Sequence, residues 1–503
     1  MNMQIMVPYR LMFLASLSAA AGFASLPTAI TAKAAATIMA SHRNVAHVSA
    51  RISERQDRRA IPNSFLGFSV EYGNIPNFFG RRAPLQAIAR LTRRLTRDNG
   101  PPVFRIGGNS EDRAVWGHIS ARLRHQGDAI TLSSVTANYL HTLVQATDSR
   151  LILGLNLGRG SAAMAIPWIQ EAQHTIGSRN IIAFEIGNEP DLYNRHGVRP
   201  HSYTLQDYLQ QVRRFSRRIR PLLSRRQMLA GPAFTGPWRR FTPEFIAQQG
   251  TGLAVITMHE YPLGAPVINP KSPKFGSIGN LLKPTSVTVF ASLIRSTVRA
   301  GHKRHIPVRF AEINSAYMGG KPGVSNAFVQ SLWSLDILFT LASIHCDGVN
   351  FHTGPVYGAF WPRQKGVRVL PLYYGMWVFA RATKGQAHLT PVLFHAHINL
   401  KIWATLSRNG RRRIVIINKS LLRGAMVNLL LPKNAGPNAV AELRRLMAPS
   451  AGAANGITFG GQTFTGSRDG RPMGARQSVP LEILHRHIRV LMPASSAALI
   501  DIH

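Results

Sequence analysis

Between residues 62 and 385, short apolar runs alternate with longer segments of helical periodicity, and the alternation repeats eight times. The runs fall at 65–71, 103–106, 151–155, 181–186, 228–230, 254–258, 308–313 and 348–351. Segment 205–223 typifies what lies between them, with apolar positions at helical spacing and Arg on the other face. A parallel pair of strands needs a crossover of a dozen or more residues, usually a helix, and buries both faces of each strand. Eight such units over roughly 320 residues predict a (β/α)8 barrel with loop insertions. A doubly wound open sheet is the alternative, but no run is followed by a GxGxxG or GxxxxGK[ST] phosphate loop.

After about residue 385 the pattern changes. Apolar runs at 402–406, 413–417, 426–431, 488–492 and 497–502 are separated by polar turns, which predicts an antiparallel β-sandwich over 386–503. The Gly- and Ser-rich stretch 450–474 reads as a long loop. At the other end, residues 1–36 read as an export signal. Arg10 supplies the positive start, 11–24 an apolar stretch of small residues, and Ala32-Lys33-Ala34 a cleavage site before Ala35. An uncleaved anchor is the alternative; no later segment reaches the roughly 18 apolar residues of a membrane span. The expected location is therefore periplasmic or extracellular, with no membrane span once the signal is removed. The lone Cys346 precludes an internal disulfide and reads as a buried thiol at a strand entry.

The chain holds 60 Lys+Arg against 22 Asp+Glu, a formal charge of +38. Such a field attracts polyanions, and it equally fits an acidic habitat. Runs that mimic nucleic-acid binding dissolve on inspection. In Arg213-Arg214-Phe215-Ser216-Arg217-Arg218, Phe215 shares helical spacing with Val212, Ile219 and Leu222 and belongs to a core face. Trp238-Arg239-Arg240-Phe241 is a short run expected in a loop, and Arg411-Arg412-Arg413 leads straight into an apolar strand. No nucleic-acid partner is expected.

With so few acidic residues, their positions are informative. In a barrel the loops after the strands build the site, and there stand Glu71, Gly107-Gly108-Asn109, Asn188-Glu189-Pro190, His259-Glu260-Tyr261, Glu312-Ile313-Asn314 and His352. Two carboxylates facing one cleft are the minimum machinery for glycosidic cleavage, one giving a proton to the leaving oxygen and the other attacking the anomeric carbon. Glu189 and Glu312 follow the fourth and seventh runs and can face each other across the ring. Neither a metal-ligand cluster nor a cofactor motif is apparent, and no cofactor is expected.

Phe184-Glu185-Ile186-Gly187-Asn188-Glu189-Pro190-Asp191 and Phe310-Ala311-Glu312-Ile313-Asn314-Ser315 resemble the retaining hydrolases whose two glutamates follow strands four and seven. Phe104-Arg105-Ile106-Gly107-Gly108-Asn109 and Glu312-Ile313-Asn314-Ser315-Ala316-Tyr317 most resemble glycoside hydrolase family 79, the β-glucuronidase and heparanase family. The resemblance implies that a strand within 37–61 completes the sandwich and that the catalytic barrel spans 62–385. It implies Glu189 as acid/base, Glu312 as nucleophile, Asn188 on the sugar 2-hydroxyl, and Tyr261 holding the nucleophile. Glu71 and Asn109 would line the sugar subsite, with His352 beside the nucleophile. Tyr317 and the backbone of Gly319 and Gly320 would receive a uronate carboxylate. The loop after run eight matches only loosely, with Tyr357 and Gly358 as its candidates. The implied substrate is an acidic glycoside, a β-glucuronide cleaved from the chain end. Open alternatives are an endo-acting heparanase-like enzyme, a hydrolase of the same clan on a neutral glycoside, and a basic polysaccharide-binding protein. The oligomeric state is not legible.

Overall fold

The computed structural model describes residues 45–117, 129–225, 228–435 and 439–503; the expected export signal at 1–36 lies outside them. Eight parallel strands close into a barrel: Leu66–Glu71, Val103–Gly107, Arg150–Leu155, Ile181–Ile186, Leu229–Phe234, Leu253–Glu260, Val308–Ile313 and Gly348–His352. Each pairs with its neighbour in sequence, and the eighth closes on the first with Val349 opposite Leu66. All eight contain or overlap the apolar runs of the sequence.

Strand side chains alternate between the two faces, and this sorts the barrel interior into layers. Val103, Ile152, Ala183, Ala230 and Val255 form a small apolar cluster of their own. Two residues further along the same faces stand Arg105, Gly154, Glu185 and Thr257, and Arg105, Glu185 and Thr257 are buried. A charged layer therefore lies between the apolar floor and the barrel mouth. Gly154 makes room for it, because a Cβ there would meet the Glu111 carboxylate at 2.1 Å.

Helix Leu205–Ile219 shows how the outer ring forms. The Thr204 hydroxyl accepts from the Asp207 backbone N–H, and the Asp207 carboxylate accepts from Thr204 N–H in return, closing both ends of a capping box. Tyr208, Leu209, Val212, Phe215 and Ile219 are buried while Arg213, Arg214, Arg217 and Arg218 face outward. Phe215 is thus a core residue. Cys346 is buried just before the eighth strand, its thiol pushed up to about 11 by burial.

The C-terminal strands form two sheets over a second core that includes Val48, Ile402, Ile414, Val427, Ile488 and Ile500. The sheets are antiparallel except at strand Ala46–Ile52, which adds to Ala425–Leu430 in parallel, and to Val392–Phe394 in antiparallel fashion. Strands His388–Thr390 and Ala441–Met447 are additions to the sequence reading. The second is interrupted by Glu442, Arg444 and Arg445; Ala441 and Leu443 face the sandwich core, while Leu446 on the opposite face joins the larger core. Stretch 450–474 is a loop containing the short strand Thr458–Phe459. Its Phe464 packs edge-on against Tyr373 and Trp377 of the barrel helix Pro371–Ala382.

Candidate active site

The polar residues read from the sequence gather at the C-terminal ends of the strands. Glu71 ends the first strand, and its carboxylate accepts from the backbone N–H groups of Asn109 (3.1 Å) and Ser110 (2.8 Å). Gly108 permits that wrapping. It sits at φ +76°, and a Cβ would meet the Glu71 carboxylate at 2.3 Å. Glu189 occupies a left-handed conformation, φ 50°, immediately before the 3-10 turn Pro190–Leu192. A non-glycine residue held there is strained and persists because its surroundings over-determine it. The Asp191 carboxylate, accepting from Gly236 N–H at 2.6 Å, is one such tether. His259 Nδ1 lies 3.1 Å from Glu189 Oε1.

Glu312 is 7% exposed, and its two oxygens are held from different sides. Tyr261 Oη donates to Oε1 at 2.7 Å, and Arg105 donates to Oε2 at 2.8 Å. His352 Nδ1 lies 3.4 Å from the same Oε2, while its Nε2 lies 3.5 Å from Glu71. Carboxylate oxygens of Glu189 and Glu312 and a His259 ring nitrogen all lie within 4.8 Å of one another. Residues remote in sequence thus converge into a set of donor types that a metal ion could use. The donors are nonetheless engaged, and the Arg105 guanidinium on Glu312 places a fixed cation against one member of the trio.

Arg105 is the centre of the charged layer and was not singled out in the sequence beyond its place in a motif. Fully buried, it donates to Glu185 (2.6 Å), Glu111 (3.1 Å), Glu312 and the Asn188 side-chain oxygen (3.0 Å). Burial disfavours its charge, but three carboxylates more than offset this and hold its pKa above the ordinary value. Burial likewise pushes Glu312 up, and His352, His259, Arg105 and the Tyr261 hydrogen bond reverse it, leaving Glu312 at about 2. Glu71 is also held below its ordinary value, burial being outweighed by His352 and Ser110. His352 is raised, because Glu312 and Glu71 outweigh its burial. Glu111 is raised well above the carboxylate range, chiefly by burial. Glu312 is thus ionised and backed by cations, which suits a nucleophile.

These shifts set a pH dependence of stability. Burial pushes Asp112 and Asp191 up to about 6 from 3.8. Each stabilises the fold fully below its unfolded pKa and loses that contribution as pH rises through about 6; raised His352 acts in the same direction. Glu312 does the reverse, stabilising above 4.5 and losing the contribution as pH falls towards 2. The thermal midpoint is expected to peak at about pH 4–5 and to fall between about pH 5 and 7. A midpoint that rises over that interval in calorimetry contradicts the assignment.

The carboxylates open onto a cavity of about 730 Å³. Of the residues expected at the site, Glu71, Asn109, Glu189, Tyr261, Glu312, Tyr317, Gly319, His352 and Tyr357 line it. Asn188, Gly320 and Gly358 are not among its lining. Asn188 is 4% exposed and turned between Arg105 and Asn109, donating to the latter at 3.2 Å. Gly320 backs onto Tyr357, and the Gly358 N–H donates to Gly354 oxygen, so both shape the loop that presents Tyr357. The Tyr357 ring stacks on Tyr261 with centroids 6.4 Å apart. The wall also carries Arg195, His196, Arg239 and Lys274, none of them foreseen. Arg239 and Lys274 both pair with Glu260. Trp238-Arg239-Arg240-Phe241 lies in a 3-10 turn, Pro237–Phe241.

An acidic pair at the mouth of a (β/α)8 barrel, on a chain that ends in a β-sandwich, defines a glycoside hydrolase, and comparison with known proteins agrees. The model of the glycosyl hydrolase family 79 C-terminal beta domain matches residues 399–499. A beta-glucuronidase of Aspergillus niger is 24% identical over 89% of this chain and 92% of its own length. A beta-glucuronidase of Neurospora crassa is 25% identical over 67% of this chain and 62% of its own. The solved 4-O-α-L-rhamnosyl-β-D-glucuronidase of Fusarium oxysporum shares the fold, with a TM-score of 0.74, 19% identity, and coverage of 90% of this chain and 99% of that one. The chain thus carries a C-terminal domain matched by the family 79 model, and over most of its length it is similar to beta-glucuronidases.

Proposed function

We propose that the protein is an exported β-glucuronidase that cleaves terminal uronides with retention of configuration. Glu312 attacks the anomeric carbon while Glu189 protonates the leaving oxygen; Glu189 then acts as base and activates the water that releases the sugar. The observation that carries this reading is the approach of the Glu189 and Glu312 carboxylate oxygens to within 4.8 Å. Retaining pairs stand about 5–5.5 Å apart, whereas inverting pairs leave about 6.5–9.5 Å for an intervening water.

The uronide part of the reading is supported by the two beta-glucuronidase relatives and by the cations on the cavity wall, Arg195, Arg239 and Lys274. Tyr317 and Gly319 stand on the same wall, where a hydroxyl and a backbone N–H suit a carboxylate. Aryl β-glucuronide, β-glucoside and β-xyloside assayed side by side test it. The glucuronide is expected to have the highest kcat/KM by at least about 100-fold, the scale on which a buried charge pair discriminates. Preference for a neutral glycoside sinks the uronide assignment and leaves the hydrolase class standing. Export with cleavage after Ala32-Lys33-Ala34 predicts a mature N-terminus at Ala35, read by N-terminal sequencing of the secreted protein.

A further inference from the structure

At the far end of the barrel from Glu189 and Glu312, two concavities of about 1110 and 330 Å³ share a wall made by Arg381 and Lys384. The larger is cut beside the N-terminal ends of two barrel strands, because Pro101 and Pro102 lead into Val103 and Asp148 precedes Arg150. Strands of about six residues put ~20 Å between that end and the catalytic mouth. Arg90, Arg93, Arg94, Arg97 and Arg471 line the larger concavity. The smaller belongs to the sandwich and is lined by Arg411, Arg413, Arg444 and Arg476. The acidic residues along both are Asp98, Asp148 and Asp501.

Arginines on an outer helix face are ordinarily a solvated surface, and helix Arg82–Thr96 does bury Leu85, Ile88, Leu91 and Leu95 on its other side. Three observations set this surface apart. It is concave and continuous across the barrel and the sandwich. Its charge is undercompensated: Asp501 alone serves Arg411 (2.7 Å), Arg413 (3.5 Å) and Arg444 (4.0 Å). Burial and then Arg476 push Arg444 down to about 10, and Arg381 is lowered by burial and then by Arg94 and Arg476. Finally, the buried Nε atoms of Arg94 and Arg381 have no hydrogen-bond partner among the described residues. Crowded cations with unmet donors are relieved by an anion that enters the groove.

We propose that this groove is a second binding site, and that it takes an acidic polysaccharide, a chain bearing carboxylate or sulfate groups. The guanidinium fork matches both groups in paired hydrogen bonds. Among the described residues no aromatic side chain lines either concavity, so the stacking platform of a single-strand nucleic-acid groove is missing. The nearby rings lie beneath arginines, Trp377 under Arg94 and Phe459 under Arg444. The chain's class, a glycoside hydrolase, makes a glycan the matching polyanion. The site is independent of which sugar the barrel cleaves, and it would tether a polymer while its end is processed elsewhere.

The test uses full-length protein carrying Glu312→Gln to prevent turnover, titrated with an oligogalacturonate, a sulfated dextran fragment and a neutral cello-oligosaccharide at several salt concentrations. Arg93, Arg97 and Arg476 are exposed, so their joint change to Gln spares the core. That triple variant, and separately Arg381→Gln, is expected to bind both acidic glycans at least about tenfold more weakly and with a shallower salt dependence. The neutral glycan binds no variant differently. Made in the active enzyme, the same changes leave kcat/KM on a small aryl glycoside unaltered. Arg381→Lys keeps the charge and restores part of the affinity. Unchanged affinity in both Gln variants overturns the proposal, as does single-stranded DNA of equal charge binding more tightly than either acidic glycan.

Discussion

Changing Glu312 to Gln is expected to lower kcat on an aryl β-glucuronide by about 10⁴-fold or more, while the fold persists. The amide keeps the shape of the carboxylate and can still accept from Tyr261 Oη, so the cavity wall is retained. What disappears is the anion proposed to attack the anomeric carbon. Arg105 stays bound to Glu185 and Glu111, which limits the structural cost. The companion change Glu189→Gln differs in kind. It should cost about 10²–10⁴-fold on a poor leaving group, where protonation limits the rate, and much less on an activated aryl group. Turnover by Glu312→Gln near that of the unaltered enzyme removes the nucleophile assignment.

The second large effect is expected at Arg105, which lies behind the Glu312 carboxylate. Replacing it with Leu leaves Glu185, Glu111 and Glu312 without their shared cation in a fully buried layer. Breaking a buried ion pair by deleting one partner costs about 3–5 kcal/mol, and here one deletion strips three carboxylates. The expected outcome is insoluble protein or a denaturation midpoint lowered on that scale. Arg105→Lys separates folding from chemistry. A lysine keeps the charge but loses the planar fork that reaches Glu185, Glu312 and Asn188 together. That variant should fold and retain reduced activity, and Glu312, less well compensated, should titrate higher. The acid limb of kcat/KM would then move to higher pH. An Arg105→Leu protein of unaltered stability contradicts the account of the charged layer.

The parts legible in the sequence are those whose physical cause is local. Continuous apolar runs such as 151–155 and 181–186 form barrel strands because both their faces are buried, and the polar residues that end them stand at the mouth for the same reason. Ala441–Met447 is illegible because Glu442, Arg444 and Arg445 interrupt it, and because both of its faces are covered, Ala441 and Leu443 on one and Leu446 on the other, so no period-two apolar pattern appears. The charged layer was illegible for a different reason. Arg105 and Glu185 sit singly inside apolar strands, and nothing local says that they meet across the barrel 80 positions apart in sequence. Period-two spacing offers a partial signal, since Arg105 shares a face with Val103 and Gly107 and therefore points inward. Glu260, Arg239 and Lys274 likewise assemble from three separate segments. The basic groove draws on the helix after the first strand, the last barrel helix and several sandwich strands, so a total charge of +38 announces it without locating it.

The most direct test of the double-displacement account is the configuration of the sugar at the moment of release. Proton NMR of aryl β-glucuronide hydrolysis, recorded before mutarotation sets in, should show β-glucuronic acid appearing first and the α anomer growing only later. First appearance of the α anomer means a single inversion, and contradicts Glu312 as nucleophile with Glu189 as its acid/base partner.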